Sequence, residues 1–300
     1  MKVRQAVKSI SELFRDTSLE WWNDNTFRLA ASLAFYTIFS LAPILLIAVG
    51  LVSLIFSHER ASNEVVRQVQ ALAGFQGAAA ARQVLGSVKH IGGNPLAILI
   101  GFATLFVGST AVFAELQAAL NLIWDVAANP SRSKIKGLIR DRLLSFAIVL
   151  AVGFLLLVSL LLSAAISALH NYLAGKMPEA SNIWQMLNMA TSFGLTALLF
   201  AMIYKYLPDV KVTWRDIWVG ALVTALLFTG GKFLIGMYLG RMAGGNLYGA
   251  AGSFVVLLIW VYYSALICFF GAEFTQVYAR RYGSKIQPQE HAIRLGKKIR

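Results

Sequence analysis

The stretch YGAAGSFVVLLIWVYYSALICFFGAEFTQVY, Tyr248–Tyr278, is free of charge from Ala250 to Ala272. A helix needs ~20 apolar residues to cross the hydrocarbon of a bilayer, and this run supplies them. Glu273 sits just inside its end. An acid at mid-helix costs ~2.5–3.5 kcal/mol on insertion scales, against roughly −0.3 to −0.6 for each Leu, Ile, Val or Phe. The apolar residues therefore carry the segment into the membrane, and Glu273 is tolerated where it meets a partner or water. At helical spacing, Val255, Ile259, Tyr262, Leu266, Phe270 and Glu273 form one stripe. Ser264, Cys268, Gly271 and Thr275 form a small-residue stripe on the opposite side, a surface on which helices approach closely in lipid. The small stripe is expected to dock on a neighbouring helix and the Tyr262–Glu273 stripe to face an interior seam or cavity. The alternative for Glu273 is wetting by headgroups near the interface.

Further spans lie N-terminal to this one. Residues 217–240 hold Lys232 directly after Gly230 and Gly231, with Ala221, Ala225 and Gly236 on the lysine's face. Two adjacent glycines are expected to unwind the helix locally, as in transporter sites, and to aim Lys232 at packed protein or a cavity. The competing reading is a lysine that snorkels to the interface. In 95–124, small residues from Gly101 to Ala119 share a face with Glu115, which should point it into the bundle. Gln117, Asn121 and Trp124 add a separate polar face. Residues 27–56 contain Pro43, where a missing backbone donor favours a kink or tilt, and Arg28 marks the start. The spans at 143–168 and 183–204 carry plain apolar surfaces and read as scaffold.

With 58% hydrophobic and 14% charged residues, the chain is not of soluble composition. The expected fold is all-α: a polytopic integral membrane protein with six transmembrane helices, the last at 250–278. An amphipathic interfacial helix at 1–25 precedes them. Short extracytoplasmic helices within 57–94 and a basic cytoplasmic tail at 280–300 complete the plan. The net charge of +13 would suggest nucleic acid in a soluble protein. Here 19 of the 27 Lys and Arg fall in 1–25, 125–142, 205–216 and 279–300. By the positive-inside rule these segments and both termini are cytoplasmic, so the charge reports topology and attraction to anionic headgroups at the tail, not nucleic acid. Membrane lipids are the expected partners, and a homo-oligomer or a protein partner is left open. Cys268 is the sole cysteine and His58, His90, His170 and His291 are scattered, so no disulfide, metal site or cofactor is expected. Depths along the helices suggest an Arg28/Glu115/Glu273 cluster on the cytoplasmic side and Lys232 in the outer half. If Arg28 pairs with these acids, its removal alone should be worse than its removal together with one of them.

LAFYTIFSLAP (Leu33–Pro43), LQAALNLIW (Leu116–Trp124), the Tyr206–Lys232 stretch, and WVYY and GAEFT within Tyr248–Thr275 together resemble the YihY/BrkB family of bacterial inner-membrane proteins. That family was once described as ribonuclease BN. The resemblance covers nearly the whole membrane region and implies six spans in the cytoplasmic membrane, with a link to virulence in one member. Asn121, Lys232, Tyr262, Gly271 and Glu273 match its motif positions, whereas Arg28 matches none.

Three functions compete. The first is a transporter or translocase of a small or amphiphilic solute, with lipid among the candidate substrates. Its cavity would be lined by Glu115, Lys232, Tyr262, Glu273, Arg28 and Asn121, with Pro43, Gly230, Gly231 and Gly271 as hinges. The second is a non-transporting scaffold serving envelope integrity. The third, a ribonuclease, needs clustered carboxylates or a His pair in a wet cleft. The cytoplasmic loops offer only Asp125, Asp141, Asp209 and Asp216, far apart in sequence, and no histidine outside the tail's His291. A non-enzyme is therefore expected.

Overall fold

The computed structural model describes residues 2–53, 55–88, 111–128, 181–242, 249–283 and 286–295, with the isolated positions 154, 158 and 162. Its helices are α1 (Lys2–Asn23), α2 (Thr26–Val52), α3 (His58–Val88), α4 (Ala111–Ile123), α5 (Ser181–Tyr206), α6 (Trp214–Met242) and α7 (Gly249–Tyr282). Short strands β1 (Val126–Ala128), β2 (Val210–Lys211), β3 (Gln287–Pro288) and β4 (Ala292–Arg294) lie at one end. Met189–Tyr206, Trp214–Ile235 and Leu257–Tyr282 are long and apolar enough to cross a membrane, and Thr26–Leu41 and Ala111–Ile123 are shorter apolar helices. The span expected at 143–168 and the first part of the one at 95–124 lie outside the described residues.

Helices α1 and α2 meet in a tight turn at Asn25, whose φ of 52° is left-handed. Asparagine tolerates this because its short polar side chain bonds locally. Thr26 Oγ1 donates to the Trp21 carbonyl at 2.6 Å and fixes the reversal. The turn lays α1 against the end of α7. Leu13 packs with Phe274 and Val277, and the Phe14 ring lies 5.3 Å from that of Phe274. Arg281 pairs with Asp16 at 2.9 Å and Arg280 with Glu20 at 3.1 Å. The N-terminal helix, expected simply to rest on the bilayer, is thus docked on protein.

Segment 57–94, expected to form one or two short helices, instead contains a single helix of 31 residues. Ala61, Val65, Val66, Ala78, Ala81 and Leu85 line one face and pack on Leu45, Ala48, Val49 and Val52 of α2. Glycines 74 and 77 each cost the helix ~1 kcal/mol relative to alanine. The long seam with α2 outweighs that cost. Helix α2 itself continues through Pro43.

The closest helix contact joins α6 and α7. A Cβ on Gly220 would overlap Thr275, and one on Gly271 would overlap Thr224 and the Tyr204 hydroxyl. The two helices thus interlock at a reciprocal pair, Gly220 with Thr275 and Thr224 with Gly271. Each threonine also bonds its own helix: Thr224 Oγ1 lies 2.7 Å from the Gly220 carbonyl, and Thr275 Oγ1 lies 2.6 Å from that of Gly271. Both threonine hydroxyls are thus satisfied within their own helices, which lets polar side chains sit at a dry interface. Tyr204 of α5 completes the knot by donating to the Cys268 carbonyl at 2.7 Å. The small-residue stripe of α7 therefore docks on its neighbours as its spacing suggests.

The glycines expected to act as hinges do not break their helices. Helix α6 runs unbroken through Gly230 and Gly231, and α7 is continuous over Gly271. Gly231 is there because the Tyr263 ring lies on its backbone, while Gly230 faces open space. Close approach, rather than unwinding, accounts for Gly231 and Gly271.

After α7 the chain turns back. β3 pairs antiparallel with β2, Val210 opposite Pro288, and β4 pairs antiparallel with β1, Val126 opposite Arg294. Ile286 and Ala292 are buried. Residues 286–295, part of the basic tail expected at 280–300, are a strap laid across the end of the bundle.

Candidate functional site

Asp209 lies at the centre of the strap end. It follows Pro208, which has no N–H and cannot continue α5, so the chain leaves the helix and turns its carboxylate inward. Asn121 Nδ2 donates to Asp209 Oδ2 at 2.9 Å, and Asp209 N donates back to Asn121 Oδ1 at 2.8 Å. His291 Nε2 lies 2.8 Å from Asp209 Oδ1, and Gln117 Nε2 approaches the same oxygen at 3.5 Å. The Asp209 carbonyl accepts from Gln289 N at 2.9 Å. One aspartate, buried at 5% exposure, thereby joins α4, the α5–β2 link and the strap.

A second polar chain runs beside it. Asp125, with a left-handed φ of 55°, ends the turn after α4 and accepts Leu295 N on its carbonyl at 2.7 Å. Its carboxylate accepts from Gln276 Nε2 at 3.1 Å. Gln276 Oε1 accepts from Arg280, which also donates to Glu20, both at 3.1 Å. This chain crosses from α4 through α7 to α1. Asp216 serves elsewhere: Thr213 Oγ1 donates to it at 2.8 Å at the start of α6, and a Cβ on Gly283 would strike its carboxylate. The aspartates weighed for nuclease chemistry are therefore held in separate hydrogen-bond sets, with Asp141 outside the described residues. Among the described residues no three His, Cys, Asp or Glu gather as a metal site.

The residues singled out in sequence are distributed as follows. Glu273 is completely buried inside α7, so the headgroup-wetted alternative does not hold in this structure. Glu115 points at α2 and accepts a hydrogen bond from Ser32 Oγ at 2.5 Å. Arg28, one turn earlier on α2, is exposed and forms no ion pair with any described residue. The expected Arg28/Glu115/Glu273 cluster thus lacks its cation. A neutral hydroxyl next to Glu115 supplies the donor instead, because Ser32 lies one turn nearer to it than Arg28. Lys232 is half-buried on α6, and Tyr262 packs at the edge of the main core. Asn121 belongs to the Asp209 hub rather than to an intramembrane cavity. Sequence reasoning names Asp209 and His291 without bringing them together, and it passes over Gln276. The available signal was the i, i+4 pair Gln117/Asn121 on one helix face, which needs an acceptor.

Span-length apolar helices interlocked by glycine and threonine, and closed at one end by a polar hub, define a helical integral membrane protein. Its sequence agrees with this. The pattern of the family described as Virulence factor BrkB matches residues 17–295, and the chain belongs to that family. Proteins described as UPF0761 membrane proteins are similar to it. The one from Verminephrobacter eiseniae is 29% identical over 251 residues, covering 82% of this chain and 57% of the relative. The one from Ralstonia nicotianae is 30% identical over 254 residues, covering 83% of this chain and 54% of the relative. The chain spans little more than half the length of these relatives. No solved structure matches it.

Proposed function

We propose that this protein is a translocase of a small or amphiphilic solute in the bacterial cytoplasmic membrane, with α1 and the strap on the cytoplasmic side. The observation that carries the reading is Glu273, a carboxyl group with no exposed surface inside a span-length helix. Ionisable groups in such places are costly and most often mark a pathway. Glu115 on α4 and Lys232 on α6 supply further polar positions along it. The strap and the Asp209 hub close one end, so this conformation is the one shut on the cytoplasmic side. The test is solute and fluorescent-lipid flux in proteoliposomes. Glu273→Gln, which keeps the shape and removes the charge, is expected to lower flux at least tenfold while the protein stays folded. Full flux in that variant would remove Glu273 from the mechanism. Absence of flux in the unaltered protein, for lipid and for a solute panel, would overturn translocation.

A non-transporting scaffold is the second reading. It is favoured by α3, which exposes Glu59, Arg60, Arg67 and Arg82 on a helix whose apolar face packs on α2. Recovery of a partner in fixed proportion, lost on neutralising those charges, would select this reading.

A further inference from the structure

Between α1 and the end of α7 lies an open groove of about 400 Å³, lined by Asp16, Leu19, Glu20, Val277, Arg280 and Arg281. Its four charges sum to zero. Each arginine is only half used. All the contacts of Arg280, to Glu20 and Gln276, go through Nη2, and so do those of Arg281, to Asp16 and Glu12. The Nε and Nη1 donors of both guanidiniums have no partner among the described residues. A guanidinium has five donors in a rigid fork suited to phosphate oxygens, so two arginines lining one groove with unused donors can offer a seat for a phosphate. The acids paired with them, Asp16 and Glu20, are each about a third exposed, with side-chain exposures of 31% and 29%. The apolar surroundings point to a membrane. Leu19 at 55% exposure and Trp22 at 68% project from the same helix, and Val277 lies on the helix that continues as a span.

We propose that this groove binds the headgroup of a zwitterionic phospholipid carrying a primary ammonium, a phosphoethanolamine lipid. The phosphate sits on the free edges of Arg280 and Arg281. The ammonium donates to Asp16 and Glu20, and the acyl chains leave over Leu19 and Trp22. A purely anionic headgroup meets two carboxylates with nothing to offer them. A trimethylated choline headgroup presents no N–H to those acids. The groove therefore discriminates by charge pattern and by donor count, unlike a basic tail that attracts any anionic surface.

The experiment measures lipid retained by the purified full-length protein from bilayers of equal parts phosphatidylethanolamine, phosphatidylcholine and phosphatidylglycerol, by native mass spectrometry. Phosphatidylethanolamine is expected to be enriched at least fivefold over both others. Arg281→Gln and Asp16→Asn should each abolish that enrichment. Because either change also loosens α1, thermal unfolding in detergent is followed in parallel. Leu19→Ser, which leaves the ion pairs intact, should weaken retention of all three lipids without changing their order. Preference for phosphatidylglycerol, equal retention of phosphatidylcholine, or no retained lipid would each overturn the proposal. So would enrichment that survives both charge variants. None of these outcomes depends on whether the protein moves a solute.

Discussion

The α6–α7 interface and the strap end solve the same problem with opposite means. At the interface, two helices meet through glycine against threonine, and each hydroxyl bonds the backbone of its own helix. At the strap end, elements remote in sequence meet through side chains that bond one another, Asn121, Gln117 and His291 on Asp209. Lipid gives little hydrophobic drive for helix association, so close van der Waals contact does the work and polar groups must be satisfied locally. Where water competes, a buried aspartate holds elements together only if each of its lone pairs finds a donor. Shape governs one region and hydrogen-bond accounting governs the other.

Substitutions that separate shape from hydrogen bonding sharpen this contrast. Gly271→Leu should have the largest effect. Its side chain enters space held by Thr224 and Tyr204, and overpacking of this kind should cost at least about 3 kcal/mol. Loss of the folded fraction in detergent, read by size-exclusion of a fluorescent fusion, checks it. A well-folded variant would mean that α6 and α7 are not locked at that point. Asp209→Ala comes next, at about 2–3 kcal/mol, because it strands the donors of Asn121 and His291 in a buried place. Hydrogen exchange should rise in residues 286–295 and not in α6. Exchange rising equally in both would merge the two regions into one cooperative unit.

Gly230→Ala, facing open space inside the same helix as Gly231, should stabilise by about 0.5–1 kcal/mol through helix propensity. A destabilised variant with impaired function would instead revive a hinge at that position. The smallest effect belongs to Arg28→Gln, within about 0.5 kcal/mol in thermal melts, since the side chain is exposed and unpaired among the described residues. A large loss there would restore an ion pair with Glu115 or Glu273.

The same contrast explains what could be read from the sequence. The α5, α6 and α7 segments announce themselves by apolar length, and the stripe of Cys268, Gly271 and Thr275 by helical spacing, because both signals are local. Glu273 could be aimed inward on the same grounds. The partner of Glu115 could not, since choosing between Arg28 and Ser32 takes the relative rotation of α2 and α4. Nor could the Asp209 hub be read, because its members lie 82 to 92 residues from Asp209. The basic character of 280–300 suggests a surface role, yet Ile286 and Ala292 are buried, and β3 and β4 pair with β2 and β1. The glycines of 57–94 lower helix propensity and suggest one or two short helices, while the seam that holds the single long α3 on α2 is visible only in three dimensions.

The strap also sets a timetable for the ribosome. Asp209 is synthesised 82 residues before His291. At chain growth of about 5–20 residues per second, it waits roughly 4–16 s for its last donor. During that interval α6 and α7 are made while the Asp209 hub still lacks its strap. The end of the bundle therefore closes only once residues 286–295 have been synthesised and paired with β1 and β2.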